Sequence, residues 1–175
     1  MTEVGIILGS DSDLPKIKEC FEILDKIGIS YDVIVSSAHR TPVQTAEWVT
    51  GAADRGIKVI IAAAGGAAHL PGVVASHTIL PVIGIPVESP IAGGLDSLLS
   101  ISQMPAGIPV ATMSAGRAGG ANAALFAASI LGVSDSSISE KLSAYRKEME
   151  NKIVEKNKMI NQIGLMNYIK NLEGK

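Results

Sequence analysis

The chain has 175 residues and 47% hydrophobic content, enough for one well-filled core, and a formal net charge of −2 that gives no electrostatic reason to expect a nucleic-acid partner. Aromatic residues make up only 3%, so the core must be built from Ala, Val, Ile and Leu. With a single cysteine, an intrachain disulfide and a thiolate metal cluster are both excluded.

The elements alternate along the chain. Val4–Leu8 is a short continuous apolar run, the pattern of a strand covered on both faces. A helix follows, with Leu14, Ile17, Phe21, Leu24 and Ile27 at spacings of three or four, Pro15 in its first turn and Gly28 as its stop. Cys20 falls on this helix, where a buried, inert thiol is expected. Tyr31–Val35 is the second strand, and a second helix starts near Thr41-Pro42 and ends by Gly56. Residues 59–64 make a third strand, residues 71–78 a short helix, and residues 82–85 a fourth strand. A helix over 94–101, a turn at 103–107, a strand over 109–113 and an Ala-rich helix over 118–131 complete the series.

This order predicts a three-layer αβα sandwich with a mainly parallel five-stranded sheet, flavodoxin-like in strand order, in a single domain over 1–175. From Ser136 to about Ile169 the chain turns polar, and its alternating charges read as a solvated helix face. Ile138, Leu142, Tyr145, Met149, Ile153, Ile160 and Ile163 nonetheless form an apolar stripe. Such a helix either folds back over its own sheet or packs on a neighbouring subunit, and its length, at ~1.5 Å per residue, favours the neighbour. No apolar stretch reaches the ~18–20 residues that a bilayer span needs, and the N-terminus enters a strand without a basic-then-apolar leader. A cytoplasmic protein without a membrane partner is expected.

Three loops carry the chemistry, each following a strand, and in a parallel sheet such loops share the carboxyl edge where open α/β sheets bind ligands. In Gly9-Ser10-Asp11-Ser12-Asp13, hydroxyls and free N–H groups at a helix start favour an anion, although capping alone accounts for one of these residues. Asp13 is also suited to accept hydrogen bonds from ribose hydroxyls. The loop is neither a dinucleotide fingerprint nor a Walker sequence. In Ser36-Ser37-Ala38-His39-Arg40, His39 has the residue type for proton transfer near neutrality and Arg40 the fork for a phosphate or carboxylate. A plain surface pair is the alternative. In Gly65-Gly66-Ala67-Ala68-His69-Leu70-Pro71-Gly72, small residues let a flat ligand approach the backbone, and His69 serves either the ligand or the loop itself.

His77 sits on a helix and reads as non-catalytic. No metal site is expected, since the three histidines lack ligand spacing and no carboxylate cluster accompanies them. Gly116-Arg117-Ala118-Gly119-Gly120 opens the Ala-rich helix, where tight helix–sheet packing and a second anion site explain the glycines equally well.

These loops, together with Asp96-Ser97-Leu98-Leu99-Ser100-Ile101 and Gln103-Met104-Pro105, are similar in sequence and order to the PurE family, the N5-carboxyaminoimidazole ribonucleotide mutases of purine biosynthesis. The resemblance runs from about Val4 to Leu131, and the SAHRTP and GGAAHLPG segments make it specific. It implies a reaction without cofactor or metal in which a carboxyl group moves from N5 to C4 of an imidazole ribonucleotide, with His39 as general acid/base. It implies that Ser10, Ser12, Asp13, Ser37 and Arg40 hold ribose and phosphate. The base and CO2 would lie near Ala38, Ala63, Gly66, Ala67, Ala68 and Leu70, with His69 in support.

A homo-octamer with C-terminal helices reaching neighbouring subunits is implied as well, with residues 103–107 near the active site. The GGAAHLPG form favours the mutase over the sister activity, direct carboxylation of aminoimidazole ribonucleotide with CO2. One departure is Ala63, which puts a methyl group where the family more often has glycine. A flavodoxin-like flavin or phosphoacceptor module fits less well. It would want ring-sandwiching aromatics or an Asp at the end of the third strand, where this chain has Ala64-Gly65-Gly66.

Overall fold

The computed structural model describes residues 2–174. Its centre is a five-stranded parallel sheet of β1 (Val4–Leu8), β2 (Tyr31–Val35), β3 (Val59–Gly65), β4 (Val82–Val87) and β5 (Ala111–Thr112), in the order β2-β1-β3-β4-β5. This is the flavodoxin-like order expected from the sequence. Every residue of β1 and β4 is buried, as their unbroken apolar runs require of strands covered on both faces.

Side chains alternate across a strand, so the sheet supports two cores. Val4, Ile6, Leu8, Ile61 and Ala63 pack towards α1 (Lys18–Ile27) and α5 (Arg117–Leu131). Ile7, Ile60, Ala62 and Ala64 pack on the other face with residues of α2 (Pro42–Thr50), α3 (Leu70–Ser76) and α4 (Leu95–Ser102). Gly28 ends α1 in the left-handed conformation at φ 76°, its N–H bonding to Leu24 and Asp25 carbonyls. Cys20 is wholly buried on α1, and burial pushes its thiol up to about 12.

The glycines of α5 serve close packing. A Cβ on Gly120 would stand 3.3 Å from Ile17 Cα, and one on Gly119 would overlap the Ser114 carbonyl oxygen. Gly116 sits at φ 77°, a conformation that favours glycine.

Several boundaries differ from expectation. The first helix opens as a 3-10 turn, Pro15–Ile17, and becomes α-helical only at Lys18. The second helix stops at Thr50, and a 3-10 turn, Ala53–Arg55, completes the stretch to Gly56. β4 runs on through Pro86 to Val87; β5 pairs only with Ile83 and Gly84, so the strand is open on that side at the proline. β5 itself is only Ala111–Thr112. The C-terminal helix is two helices, α6 (Ser136–Ile163) and α7 (Leu165–Glu173), broken at Gly164 with φ 80° and ψ 149°.

The first turns of α6 fold back on the chain's own core. Ile138 is buried, Leu142 packs against the α1/α5 core, and Lys26 of α1 reaches Glu148 at 2.6 Å while lying 5.0 Å over the Tyr145 ring. Further along, Met149 and Ile153 are more than half exposed. The apolar stripe is therefore covered at its start and open beyond. No helix among the described residues is long and apolar enough to cross a membrane.

Candidate active site

The carboxyl ends of β1, β2, β3 and β4 converge on a cleft of about 470 Å³. After β1, Ser10 caps a 3-10 turn, Asp11–Asp13; its hydroxyl accepts the Ser12 N–H at 3.3 Å and lies 2.8 Å from the Ser12 hydroxyl. Ser10 and Asp13 line the cleft, whereas Ser12 stands exposed beside it. Asp13 is nearly closed off, with the Lys16 ammonium 3.3 Å from its Oδ1.

After β2, a ladder of hydroxyls shapes the turn that presents His39. The buried Ser36 hydroxyl lies 2.9 Å from Thr45 Oγ1 and 3.0 Å from Thr41 Oγ1, and the Ser37 N–H donates to Thr41 Oγ1 at 2.9 Å. Pro42 then opens α2, where its missing N–H costs nothing. Ser37, Ala38 and His39 line the cleft. Arg40 does not line it; the guanidinium donates to the Gly9 carbonyl at 3.0 Å and so clamps the β1 loop to the β2 loop at the rim.

After β3, the chain turns through Gly66 at φ 64° and Ala68 at φ 46°. The left-handed conformation costs a non-glycine residue roughly 1–2 kcal/mol, and the burial of Ala68 holds it there. This turn delivers His69 to the N-cap position of α3, facing His39. His39 Nε2 and His69 Nδ1 are 2.7 Å apart and the rings meet edge to face, centroids 5.0 Å apart. Gly66, Ala67, Ala68 and Leu70 complete this wall.

Ala63 stands elsewhere: it is wholly buried in the core shared with α1 and α5 and lines no part of the cleft. Its methyl group thus faces the core and not the cleft. His77 lies exposed at the end of α3, outside the cleft lining.

A fourth loop, after β4, was not singled out from the sequence. Glu88, Ser89 and Pro90 line the cleft, as does Lys16. The signal was available, since β4 ends on the same edge as its neighbours, but a strand stopped at Ile85 keeps this loop away from the site. Ser89 Oγ donates to Asp96 Oδ1 at 2.6 Å, and Ser97 Oγ donates to the Val87 carbonyl at 2.8 Å. The Ser89 hydroxyl, with backbone and Ser97 donors, holds the Asp96 carboxyl below its ordinary value. The loop is thus tied to the start of α4. Residues 103–107 follow the far end of α4 and do not line this cleft; Met104 lies against Gly72 of α3, where a Cβ would stand 3.1 Å from its sulfur, and Gly107 lines a separate apolar groove with Ile79 and Phe126.

Such a cleft, at the carboxyl edge of a doubly wound sheet, with two facing imidazoles, hydroxyls and carboxylates, defines a small-molecule site suited to anion binding and proton transfer. The chain belongs to the AIR carboxylase family, whose model matches residues 3–152. It is 54% identical over 166 residues to the N5-carboxyaminoimidazole ribonucleotide mutase of Pyrococcus horikoshii, covering 95% of this chain and 93% of that protein. The Thermotoga maritima protein of the same name is 51% identical over 173 residues, 99% of this chain and 100% of that one. Among solved structures, Treponema denticola PurE superposes with a TM-score of 0.83 at 29% identity, covering 93% of this chain and all of that one.

Proposed function

We propose that this protein is an N5-carboxyaminoimidazole ribonucleotide mutase, moving the carboxyl group from N5 to C4 to give 4-carboxy-5-aminoimidazole ribonucleotide in purine biosynthesis. The observation that carries this reading is identity above one half, along nearly the whole chain, to proteins of that name. The facing His39–His69 pair in a small-residue cleft supplies the chemistry it needs.

His39 is the general acid/base. Protonated His39 gives its proton to the carbamate nitrogen as the N–CO2 bond breaks, so that the bonding pair stays on nitrogen and CO2 is released. CO2 is held against Ala38, Gly66, Ala67, Ala68 and Leu70, in a pocket that must exclude water. C4 then attacks CO2, and the displaced C4 proton returns to His39, leaving the enzyme as it began. No external proton or oxidant enters this balance, and the reading calls for neither cofactor nor metal. His69 orients His39 through their shared hydrogen bond. Ser10, Asp13 and Ser37 face ribose and phosphate from the cleft wall, with Ser12 and Arg40 reaching in from the rim.

The same reading makes the protein a cytoplasmic enzyme of one α/β domain, with α6 and α7 as a helical extension. The exposed part of the stripe, including Met149 and Ile153, is then the surface by which eight copies assemble. Turnover of purified protein with the carbamate substrate, set against aminoimidazole ribonucleotide plus bicarbonate, tests the assignment. The carbamate is expected to react faster; faster turnover of the second pair at modest bicarbonate would replace the mutase by the direct carboxylase.

A further inference from the structure

Among the described residues lining the cleft, Lys16 is the only lysine or arginine, and it faces two carboxylate-bearing neighbours, Asp13 and Glu88. Its ammonium lies 3.3 Å from Asp13 Oδ1 and 3.4 Å from the Glu88 carbonyl oxygen. Asp13 belongs to the turn after β1 and Glu88 to the loop after β4, and in the sheet β3 lies between those strands. Lys16 therefore reaches past the end of β3 and joins two loops that no strand pairing connects. Its side chain keeps 45% of its exposure, whereas that of Asp13 keeps 12%. The lysine thus presents positive charge at an open wall while the carboxylate behind it is held.

We propose that Lys16 is a positioning residue for the substrate's ribose phosphate half, acting through Asp13. The proposal rests on the functional reading above. An anionic ligand entering this cleft meets the Asp13 carboxylate, and like charges a few ångströms apart repel at the effective dielectric of a protein surface. The Lys16 ammonium offsets the Asp13 charge. By engaging Oδ1 it leaves Oδ2 to accept hydrogen bonds from ribose hydroxyls, in an orientation the ion pair maintains. Its second bond, to the Glu88 carbonyl, holds the β4 loop against the same turn, so that the cleft wall keeps its shape before the ligand arrives.

The test compares wild type, Lys16→Met, Lys16→Arg, Asp13→Asn and the double variant Lys16→Met with Asp13→Asn. Readouts are KM and kcat with the carbamate substrate, and calorimetric affinity for ribose 5-phosphate, which needs no turnover. Lys16→Met is expected to raise KM and weaken ribose 5-phosphate by about tenfold, the scale of a charge-assisted hydrogen bond, with a smaller change in kcat. Lys16→Arg should recover most of the loss. In the Asp13→Asn background, Lys16→Met should cost less than in wild type, because the group it orients is no longer a carboxylate and only the bond to the Glu88 carbonyl remains to be lost. Equal losses in both backgrounds, an unchanged KM, or no recovery with arginine would overturn the proposal. A wild type that binds ribose 5-phosphate yet fails to convert the carbamate would overturn the functional reading alone, and the binding series would still decide the role of Lys16.

Discussion

His39 Nε2 and His69 Nδ1 share a hydrogen bond of 2.7 Å although 30 residues separate them in the chain. One nitrogen must donate and the other accept, so two imidazolium rings cannot share this contact. When His39 carries its extra proton, it donates through Nε2 and holds His69 as the tautomer protonated on Nε2. His39→Asn is expected to lower kcat by ~10²–10⁴-fold, the usual worth of a general acid/base, while product binding measured by calorimetry stays within a few-fold of wild type. His69→Ala should lower kcat less, by about tenfold, since it removes one orienting hydrogen bond. Near-normal turnover of His39→Asn would remove His39 from the mechanism.

Gly119→Ala tests whether the α5 glycines exist for packing. The added methyl would overlap the Ser114 carbonyl, so the start of α5 would have to shift away from the strand edge. Overpacking of this kind costs ~1–3 kcal/mol, read as a lower urea midpoint with an unchanged slope. A variant as stable as wild type would show that the helix start is free to move.

Glu148 ties α6 to α1 and should leave its mark on acid stability. Hydrogen bonds from Lys152 and Lys26 hold its carboxyl down at about 2, against an ordinary 4.5. A depressed carboxylate contributes stability that is complete above the ordinary value and is lost as pH falls through the depressed one. Between pH 4.5 and about 2 the wild type should therefore lose urea resistance more steeply than Glu148→Gln. The pair is solvent-facing, so the difference should be small and should shrink with added salt. Parallel pH profiles would show that the contact adds no stability.

The open half of the stripe makes a prediction about assembly. Ile153 is 56% exposed on α6, and Ile153→Glu would place a charge where a second copy is proposed to pack. Light scattering is expected to show an octamer for wild type and smaller species for the variant, with the far-ultraviolet helix signal retained. An octamer of unchanged mass in the variant would move the interface elsewhere.

Much of this protein was determined by the sequence alone, because its signals are local. The unbroken apolar runs of β1 and β3, the glycine at position 28 and the proline at position 42 act on the backbone within a few residues, so element type and order followed from them. The loops after β1, β2 and β3 were legible for the same reason: a parallel sheet places every strand end on one edge. The motif segments added what no periodicity contains, the identity of a substrate.

What tertiary structure alone decided depends on contacts between distant residues. The alternation of β3 turns Ala63 into the α1/α5 core and Ala64 towards the opposite one, and a one-residue step decides which. The pairing of His39 with His69, and of Lys16 with the Asp13 and Glu88 loops, exists only because β2, β1, β3 and β4 lie side by side in the sheet. Whether α6 closes on its own core or stands free was equally a matter of reach, settled residue by residue from Ile138 to Ile153. Local preference is written in neighbouring residues; proximity across the sheet comes from the packing that those preferences jointly allow.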